Sequence, residues 1–170
     1  MSFGRHSCRS GSFFRSMCVT RGRIMATNVV RRWQRDDLIK QFLLIVEDEF
    51  LIALDLGATV EGMGMLFFCL ANDRVQALRL GASAHIAFVD VMLADGPTGP
   101  DLGRRLAQEH GIAVVFMTGN PETVADGVKG AVGVVQKPVM PSVVEQLVKY
   151  LAARRVGMFA VVPAQMTVFA

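Results

Sequence analysis

Four segments of the chain place polar residues directly after runs of apolar ones. Glu47 and Asp48 follow residues 42–46, Asp90 follows 86–89, Thr118 follows 112–117, and Lys137 follows 131–136. If the runs are parallel strands, their carboxyl ends meet at one crevice, where ligands bind in such sheets. Taken singly, each residue type is common on a solvated surface. Their conjunction at four strand ends predicts a single site.

The residue types in this site suit the binding and transfer of a phosphoryl group. Carboxylate and carbonyl oxygens are the hard ligands that Mg²⁺ takes, so a magnesium site is predicted at Glu47, Asp48 and Asp90. A carboxylate can also accept a phosphoryl group as an acyl phosphate, and Asp90 is the predicted acceptor. The hydroxyl of Thr118 and the positive charge of Lys137 are predicted to bind the phosphate oxygens.

The elements that must position these residues alternate regularly from residue 41 onward. Ile52, Leu56, Val60 and Met63, for example, recur at the spacing of one helix face. Five strands alternating with five helices predict an α/β fold, a doubly wound (βα)5 five-stranded parallel sheet of the flavodoxin-like type. The predicted strands are 42–46, 66–70, 86–89, 112–117 and 131–136; the later helices are one from 72 or 73 to 81, 101–109, 121–126, and one that Pro141 opens.

Composition restricts the class of protein. A chain of 170 residues, 52% of them hydrophobic, is long enough for one packed domain and too apolar for wholesale disorder. The cysteines Cys8, Cys18 and Cys69 include no CxxC pair, which argues against a disulfide framework or a zinc site. No run approaches the roughly 18 apolar residues of a membrane span. A cytoplasmic location is therefore predicted, with Cys69 as a small buried thiol.

The positive charge is concentrated at the amino-terminal end. Residues 1–41 hold nine Arg or Lys and two Asp, a net charge of +7, so the remainder carries −4 of the total of +3. Residues 1–40 are predicted to be a basic, disordered extension, although translation from Met25 or binding to nucleic acid or an anionic membrane are alternatives. Residues 41–155 are the predicted domain.

The apolar tail, residues 156–170, is broken by Pro163. It could form an extra strand, part of a dimer contact, or an unstructured end, and the sequence leaves these three possibilities open. His85 and His110 lie at predicted loop or helix ends without a partner at metal-binding or catalytic spacing, so both are predicted to be surface residues.

Four motifs resemble those of response-regulator receiver domains of two-component signalling. They are LLIVEDE (43–49), FVDVMLADG (88–96), VVFMTGN (114–120) and VVQKP (134–138), and they fall in order within about residues 42–155. The resemblance implies that Asp48 binds the metal directly, that Glu47 acts nearby or through water, and that the main-chain carbonyl of Met92 completes the metal shell. It also implies a cis peptide between Lys137 and Pro138.

The segments LADGPTG (93–99) and FMTGNPE (116–122) are similar to those of single-domain or stress-signalling receivers. This implies a stand-alone receiver, not an enzyme, that takes a phosphoryl group from a sensor histidine kinase or a histidine phosphotransfer protein and signals to an unknown downstream protein. No DNA-binding output domain is expected after residue 155.

One departure from the family pattern concerns Val134, since receivers commonly carry Tyr or Phe three residues before the lysine. A degenerate receiver that acts as a phosphorylation-independent binding module is therefore an alternative. A hydrolase with an aspartyl-phosphate intermediate is another, but such enzymes usually need a second acid two residues after the nucleophile, where this chain has Met92.

Overall fold

The computed structural model describes residues 41–65 and 67–170, and the predictions for residues 1–40 and for Leu66 lie outside this range. The described strands are β1 Phe42–Val46, β2 Phe67–Ala71, β3 Ile86–Val89, β4 Ala113–Thr118, β5 Gly133–Gln136 and β6 Met166–Val168. The described helices are α1 Phe50–Gly62, α2 Arg74–Gly81, α3 Gly99–His110 and α4 Pro141–Arg155, with one 3-10 turn over Pro121–Val124.

The strands form one sheet in the order β2-β1-β3-β4-β5-β6. β1 to β5 run parallel, which confirms the predicted doubly wound α/β fold of the flavodoxin-like type. The chain leaves β1 towards β2 on one side and returns to β3 on the other. The carboxyl ends of β1 and β3 therefore flank the point where the strand order reverses, which is the usual ligand site of such a sheet.

The structure differs from the prediction at two places. The predicted helix 121–126 is only a 3-10 turn, which begins at Pro121 and is followed by Gly127 at a φ of 79°. The tail contributes a sixth strand, β6, which pairs antiparallel with β5 so that Thr167 lies opposite Val134. Of the three possibilities for residues 156–170, an extra strand is thus found over Met166–Val168.

Local signals account for where the helices begin. Oδ1 of Asp73 accepts a hydrogen bond from the backbone N–H of Gln76 at 2.8 Å, so α2 starts at the predicted cap. Proline opens α4 as its first residue, where a missing N–H costs nothing. No helix of the described residues is both long and apolar enough to cross a membrane.

The sheet is buried on both faces because its side chains alternate between two cores. Leu43 and Ile45 of β1 pack with residues of α1 and α4. Leu44 and Val46 pack on the opposite face with residues of α2 and α3. This explains why β1 is apolar at every position. Cys69 in β2 is a half-buried free thiol, which is less buried than predicted.

The amino-terminal ends of the central strands are tied together by polar side chains. Nδ1 of His85 accepts a hydrogen bond from the N–H of Phe42 at 3.0 Å. Nη1 of Arg155, at the end of α4, donates to the carbonyls of His85 at 3.0 Å and Gly111 at 3.1 Å. The prediction that His85 is a surface residue was wrong, because its ring is half-buried and joins β1 to the segment before β3.

Candidate functional site

Strand register brings the predicted acids together. Val46 lies opposite Val89 in the β1–β3 pair, so the residues that follow them, Glu47 and Asp90, leave the sheet side by side. The N–H of Asp90 donates to the carbonyl of Val46 at 2.9 Å, which continues the pairing by one residue. One carboxylate oxygen from each of Glu47, Asp48 and Asp90 lies within 4.8 Å of the others.

The three acids differ in their exposure. Glu47 is 3% exposed and Asp90 is 7% exposed, whereas Asp48 is exposed to solvent. The cluster therefore has a buried floor and an open mouth.

Lys137, the residue after β5, reaches across to the two buried acids. Its Nζ lies 2.6 Å from Oδ2 of Asp90 and 2.7 Å from Oε2 of Glu47. The prediction that Lys137 lies in the same crevice as the acids agrees with this geometry. Three carboxylates and one ammonium leave two formal negative charges uncompensated.

Burial and pairing act in opposite directions on the ionisation of the two partners. Burial raises the pKa of Glu47 above its ordinary value, although the hydrogen bond and the charge of Lys137 act against this shift. Burial alone lowers the pKa of Lys137, but its hydrogen bonds and charge interactions with Asp90 and Glu47 outweigh burial and raise that pKa. Lys137 is therefore protonated at neutral pH.

Backbone groups hold the second oxygen of Asp90 and the hydroxyl of Thr118. The N–H of Met92 donates to Oδ1 of Asp90 at 3.2 Å. Thr118 closes β4, is 2% exposed, and accepts a hydrogen bond at its Oγ1 from the N–H of Asn120 at 3.2 Å. The side chain of Met92, two residues after Asp90, is half exposed. Because it is a thioether, it offers no acidic group at this position.

The donor set fits a hard divalent cation. Oxygen atoms of three carboxylates face one another, two of these residues are buried, and the two uncompensated charges match the charge of one such ion. Magnesium prefers oxygen ligands and keeps part of its water shell, which the exposed side of Asp48 leaves room for. The Lys137–Pro138 peptide is cis, as the resemblance implied.

One protein of known sequence and one solved domain are similar to this chain. The phyllosphere-induced regulator PhyR of Methylorubrum extorquens is 33% identical over 110 residues, which are 62% of this chain and 41% of PhyR. The solution structure of the PhyR receiver domain from Erythrobacter litoralis matches 73% of this chain and 95% of that domain, with a TM-score of 0.55 and 26% identity. The described domain resembles response-regulator receiver domains in sequence and in fold.

A longer structure agrees with this assignment. The crystal structure of a mutant of the anti-anti-sigma factor PhyR from Bartonella quintana matches 72% of this chain with a TM-score of 0.60 and 27% identity, over 53% of its own length. This chain thus spans about half the length, or less, of the PhyR proteins that it matches. No protein-family model matches the chain.

The carboxyl-terminal tail covers an edge of the sheet that its sequence did not predict. β6 covers the edge of β5, and Phe169, the residue after β6, packs with the core that includes Val134. Val134 is 4% exposed. An apolar tail was a signal for packing, but nothing in its sequence indicated which edge of the sheet it would cover.

Proposed function

We propose that this receiver accepts a phosphoryl group on Asp90 and thereby changes its affinity for another protein. The observation that carries the proposal is the contact of 2.6 Å between Lys137 Nζ and Asp90 Oδ2 inside a cluster of three carboxylates. The N–H of Met92 holds the other oxygen of Asp90. The carboxylate is therefore oriented, and a cation is in place for the oxygens of an incoming phosphate.

The transfer itself needs few groups from the protein. An oxygen of Asp90 bonds to phosphorus while the bond from phosphorus to the donor imidazole nitrogen breaks, and that nitrogen keeps the bonding electron pair. Lys137 would pair with a phosphoryl oxygen and Thr118 would donate its hydroxyl to another. A magnesium ion held by Glu47, Asp48, Asp90 and the carbonyl of Met92 would supply the charge that offsets the phosphoryl oxygens.

A sensor histidine kinase or a histidine phosphotransfer protein is the proposed donor, and the cytoplasm is the proposed compartment. A groove of about 500 Å³ lies beside Lys137, and residues of α1 and of the segment after β5, including Ile52 and Val139, line it. Phe50 and Leu51 at the start of α1 are 68% and 78% exposed. Large exposed apolar side chains next to a charged pocket suit a surface that a protein partner covers.

Reaction with a small phosphodonor tests the acceptor. The full chain is incubated with acetyl phosphate and MgCl₂, and the modified residue is located by mass spectrometry. One phosphoryl group on Asp90 is expected, absent from Asp90→Asn and retained in Asp126→Asn, an exposed acid outside the pocket. An unmodified chain, or a modification that survives Asp90→Asn, contradicts the proposal.

Measurements on the same samples separate the alternatives. A binding module that works without phosphate predicts that affinity for the partner is the same before and after phosphorylation. A hydrolase predicts continuous release of phosphate in excess of the protein. Titration with MgCl₂ in a calorimeter adds a test of the metal site, because Asp48→Asn is expected to weaken magnesium binding at least tenfold, as loss of roughly 1.4 kcal/mol would, while Asp126→Asn leaves it unchanged.

A further inference from the structure

The sixth strand is attached to the sheet by a short set of contacts. β6 pairs with β5 over three residue pairs only, from Gly133 opposite Val168 to Val135 opposite Met166. The segment between α4 and β6 has no helix or strand, and within it Phe159 is 88% exposed. A three-residue edge strand on an irregular connection belongs to the least stable part of a fold.

Two side chains hold this strand, one on each face of the sheet. Met166 is 7% exposed and packs in the core of α1 and α4. Phe169 packs against the opposite core, where its ring centroid lies 6.3 Å from that of Phe116 in β4. Thr167 and Val168 between them face solvent. The strand is therefore held by its first residue, Met166, and by Phe169, the residue that follows its last.

The seat of Phe169 is built from the same chain segment that carries Thr118. Phe116 lies two residues before Thr118 in β4 and so on the same face of that strand. The N–H of Phe169 donates to the carbonyl of Val132 at 3.0 Å. A Cβ built on Gly127 would lie 3.5 Å from Phe169. Phe169 thus lies against Gly127 and Val132, which belong to residues 119–132, the segment that follows Thr118.

Thr118 links the site to this segment through its side chain. Its hydroxyl oxygen accepts the N–H of Asn120 at 3.2 Å, which leaves its own hydrogen free for a phosphoryl oxygen, and the carbonyl of Asn120 accepts the N–H of Thr123 in the 3-10 turn. A displacement of the Thr118 side chain towards a phosphoryl group on Asp90 would therefore pull on Asn120 and, through it, on the turn. Val124 of that turn belongs to the core that Phe169 joins, so a shift of the turn changes the seat of the ring.

We propose that β6 is a displaceable cover on the edge of β5, seated by Phe169, and that phosphorylation of Asp90 loosens it through Thr118 and residues 119–132. The inference rests on the proposed function for the step at Asp90. In the unmodified chain, β6 pairs with residues 133–135 along the outer edge of β5. Its release exposes the backbone groups on that edge, so the β5 edge differs between the two states.

Hydrogen exchange measured by mass spectrometry tests the release. Deuterium uptake is followed in the full chain for peptides that cover residues 130–137 and 164–170, with the phosphorylated fraction measured in the same samples. We expect uptake in both peptides to become about tenfold faster on phosphorylation, which corresponds to about 1.4 kcal/mol of lost local stability. Residues 67–71, at the other edge of the sheet, provide the internal control and are expected to show no change.

Two variants are expected to loosen the cover without phosphate. Phe169→Ala removes the ring from its seat. Gly133→Ala acts from the other strand, because a Cβ there would collide with the carbonyl oxygen of Thr167 and lie 2.7 Å from Cε of Met166, both in β6. Each is expected to give fast uptake at 164–170 before modification and little further change after it. Phe159→Ala removes an exposed ring from the same tail and is expected to behave like the parent chain.

The outcomes separate this inference from the proposed function. A chain that is phosphorylated at Asp90 but keeps slow uptake at 164–170 overturns the cover and leaves the acceptor intact. Slow uptake at 164–170 in both Phe169→Ala and Gly133→Ala also overturns it, whatever happens at Asp90. A chain that does not take phosphate overturns the proposed function, and with it the coupling of β6 to Asp90.

Discussion

Nζ of Lys137 lies 2.7 Å from Oε2 of Glu47, in addition to its contact with Asp90. Lys137 is thus the cation that compensates the two buried acids before any phosphate arrives. The pocket still has an excess of negative charge. The free energy of unfolding and the affinity of the pocket for a cation are therefore expected to change in opposite directions when one of these charges is removed.

Removal of the lysine charge is expected to destabilise the domain. Lys137→Ala leaves Glu47 and Asp90 without their partner in a buried site, which costs about 3 kcal/mol in typical cases. Magnesium should then raise the urea midpoint of Lys137→Ala more than that of the parent chain, since the ion replaces the lost charge. Urea unfolding with and without MgCl₂ measures both effects.

Lys149→Ala is the matched control for this substitution. Lys149 forms an exposed ion pair with Glu145 at 3.3 Å, and such surface pairs contribute less than about 1 kcal/mol. Equal losses of stability in the two alanine variants would contradict the role given to Lys137.

Glu47→Gln is expected to stabilise the folded chain in the absence of magnesium. Burial raises the pKa of Glu47, so the folded state binds its proton more tightly than the unfolded state. The stability that this carboxyl contributes is present below its unfolded pKa and is lost as pH rises through the raised folded value. A neutral glutamine avoids that loss at neutral pH.

The sign of this effect should reverse in magnesium. The parent chain gains stability from the ion, while Glu47→Gln has lost one carboxylate near it. Unfolding midpoints at neutral pH and near the ordinary pKa of 4.5, each with EDTA or MgCl₂, measure the predicted pattern. A glutamine variant that is less stable than the parent chain in EDTA at neutral pH would show that pairing outweighs burial.

Gly99→Ala is expected to damage both stability and phosphorylation. A Cβ at Gly99 would collide with the carbonyl oxygen of Asp90 and lie 2.7 Å from Cα of Val91. These are backbone atoms, so relief requires movement of Asp90 itself, and the cost should be about 2 kcal/mol. Thermal unfolding and the rate of reaction with acetyl phosphate are the measurements.

Gly62→Ala tests whether this loss is specific to position 99. Gly62 ends α1, and a Cβ there meets nothing within 4 Å. Alanine at a helical position is favoured over glycine by about 0.5–1 kcal/mol, so stability should be unchanged or slightly raised. A similar loss of stability in both variants would contradict the inference that close packing against the backbone of Asp90 causes the loss in Gly99→Ala.

The folded domain is expected to lose stability in mild acid because His85 becomes protonated. Burial, and then the charge of Arg155, lower the pKa of His85 below its ordinary value of 6.5. Its Nδ1 must stay unprotonated to accept the N–H of Phe42. The contribution of His85 is therefore complete above 6.5 and is lost as pH falls through the lower folded value, because the unfolded state takes up the proton first.

Asparagine provides a non-titrating comparison at this position. His85→Asn keeps an acceptor close to that of Nδ1, so its unfolding midpoint should depend less on pH than that of the parent chain. His85→Ala loses the hydrogen bond at every pH, at a cost of about 1 kcal/mol. Parallel pH profiles for the parent chain and His85→Asn would contradict the assignment.

The sequence predicted the parallel part of the sheet because its strands are short apolar runs, and four of the five predicted runs are followed directly by a polar residue. β1 agrees with the prediction at both ends, and β3 does also. The strand ends also predicted which side chains meet, since parallel strands place their last residues on one edge. Glu47, Asp90 and Lys137 are in contact for this reason.

Features that depend on distant partners were not predictable in the same way. Nδ1 of His85 accepts a hydrogen bond from the backbone N–H of Phe42, 43 positions earlier in the chain. No local sequence pattern marks such a pair. β6 has only three residues, two of them exposed, so it lacks the alternation that predicts a strand. A short helix was predicted over residues 121–126, but the structure has a single 3-10 turn over Pro121–Val124, and Gly127 follows it at a φ of 79°.

Arg155 restricts how β3 and β4 can move relative to each other. Its guanidinium group bonds to the carbonyls of His85 and Gly111, the residues just before β3 and β4, while Asp90 and Thr118 lie at the far ends of those two strands. The two strands are thus joined at the end opposite to the acidic cluster, in addition to the ladder between them. If Asp90 is phosphorylated as proposed, this attachment resists sliding of β3 along β4, so we expect the larger displacement in the residues that follow Thr118.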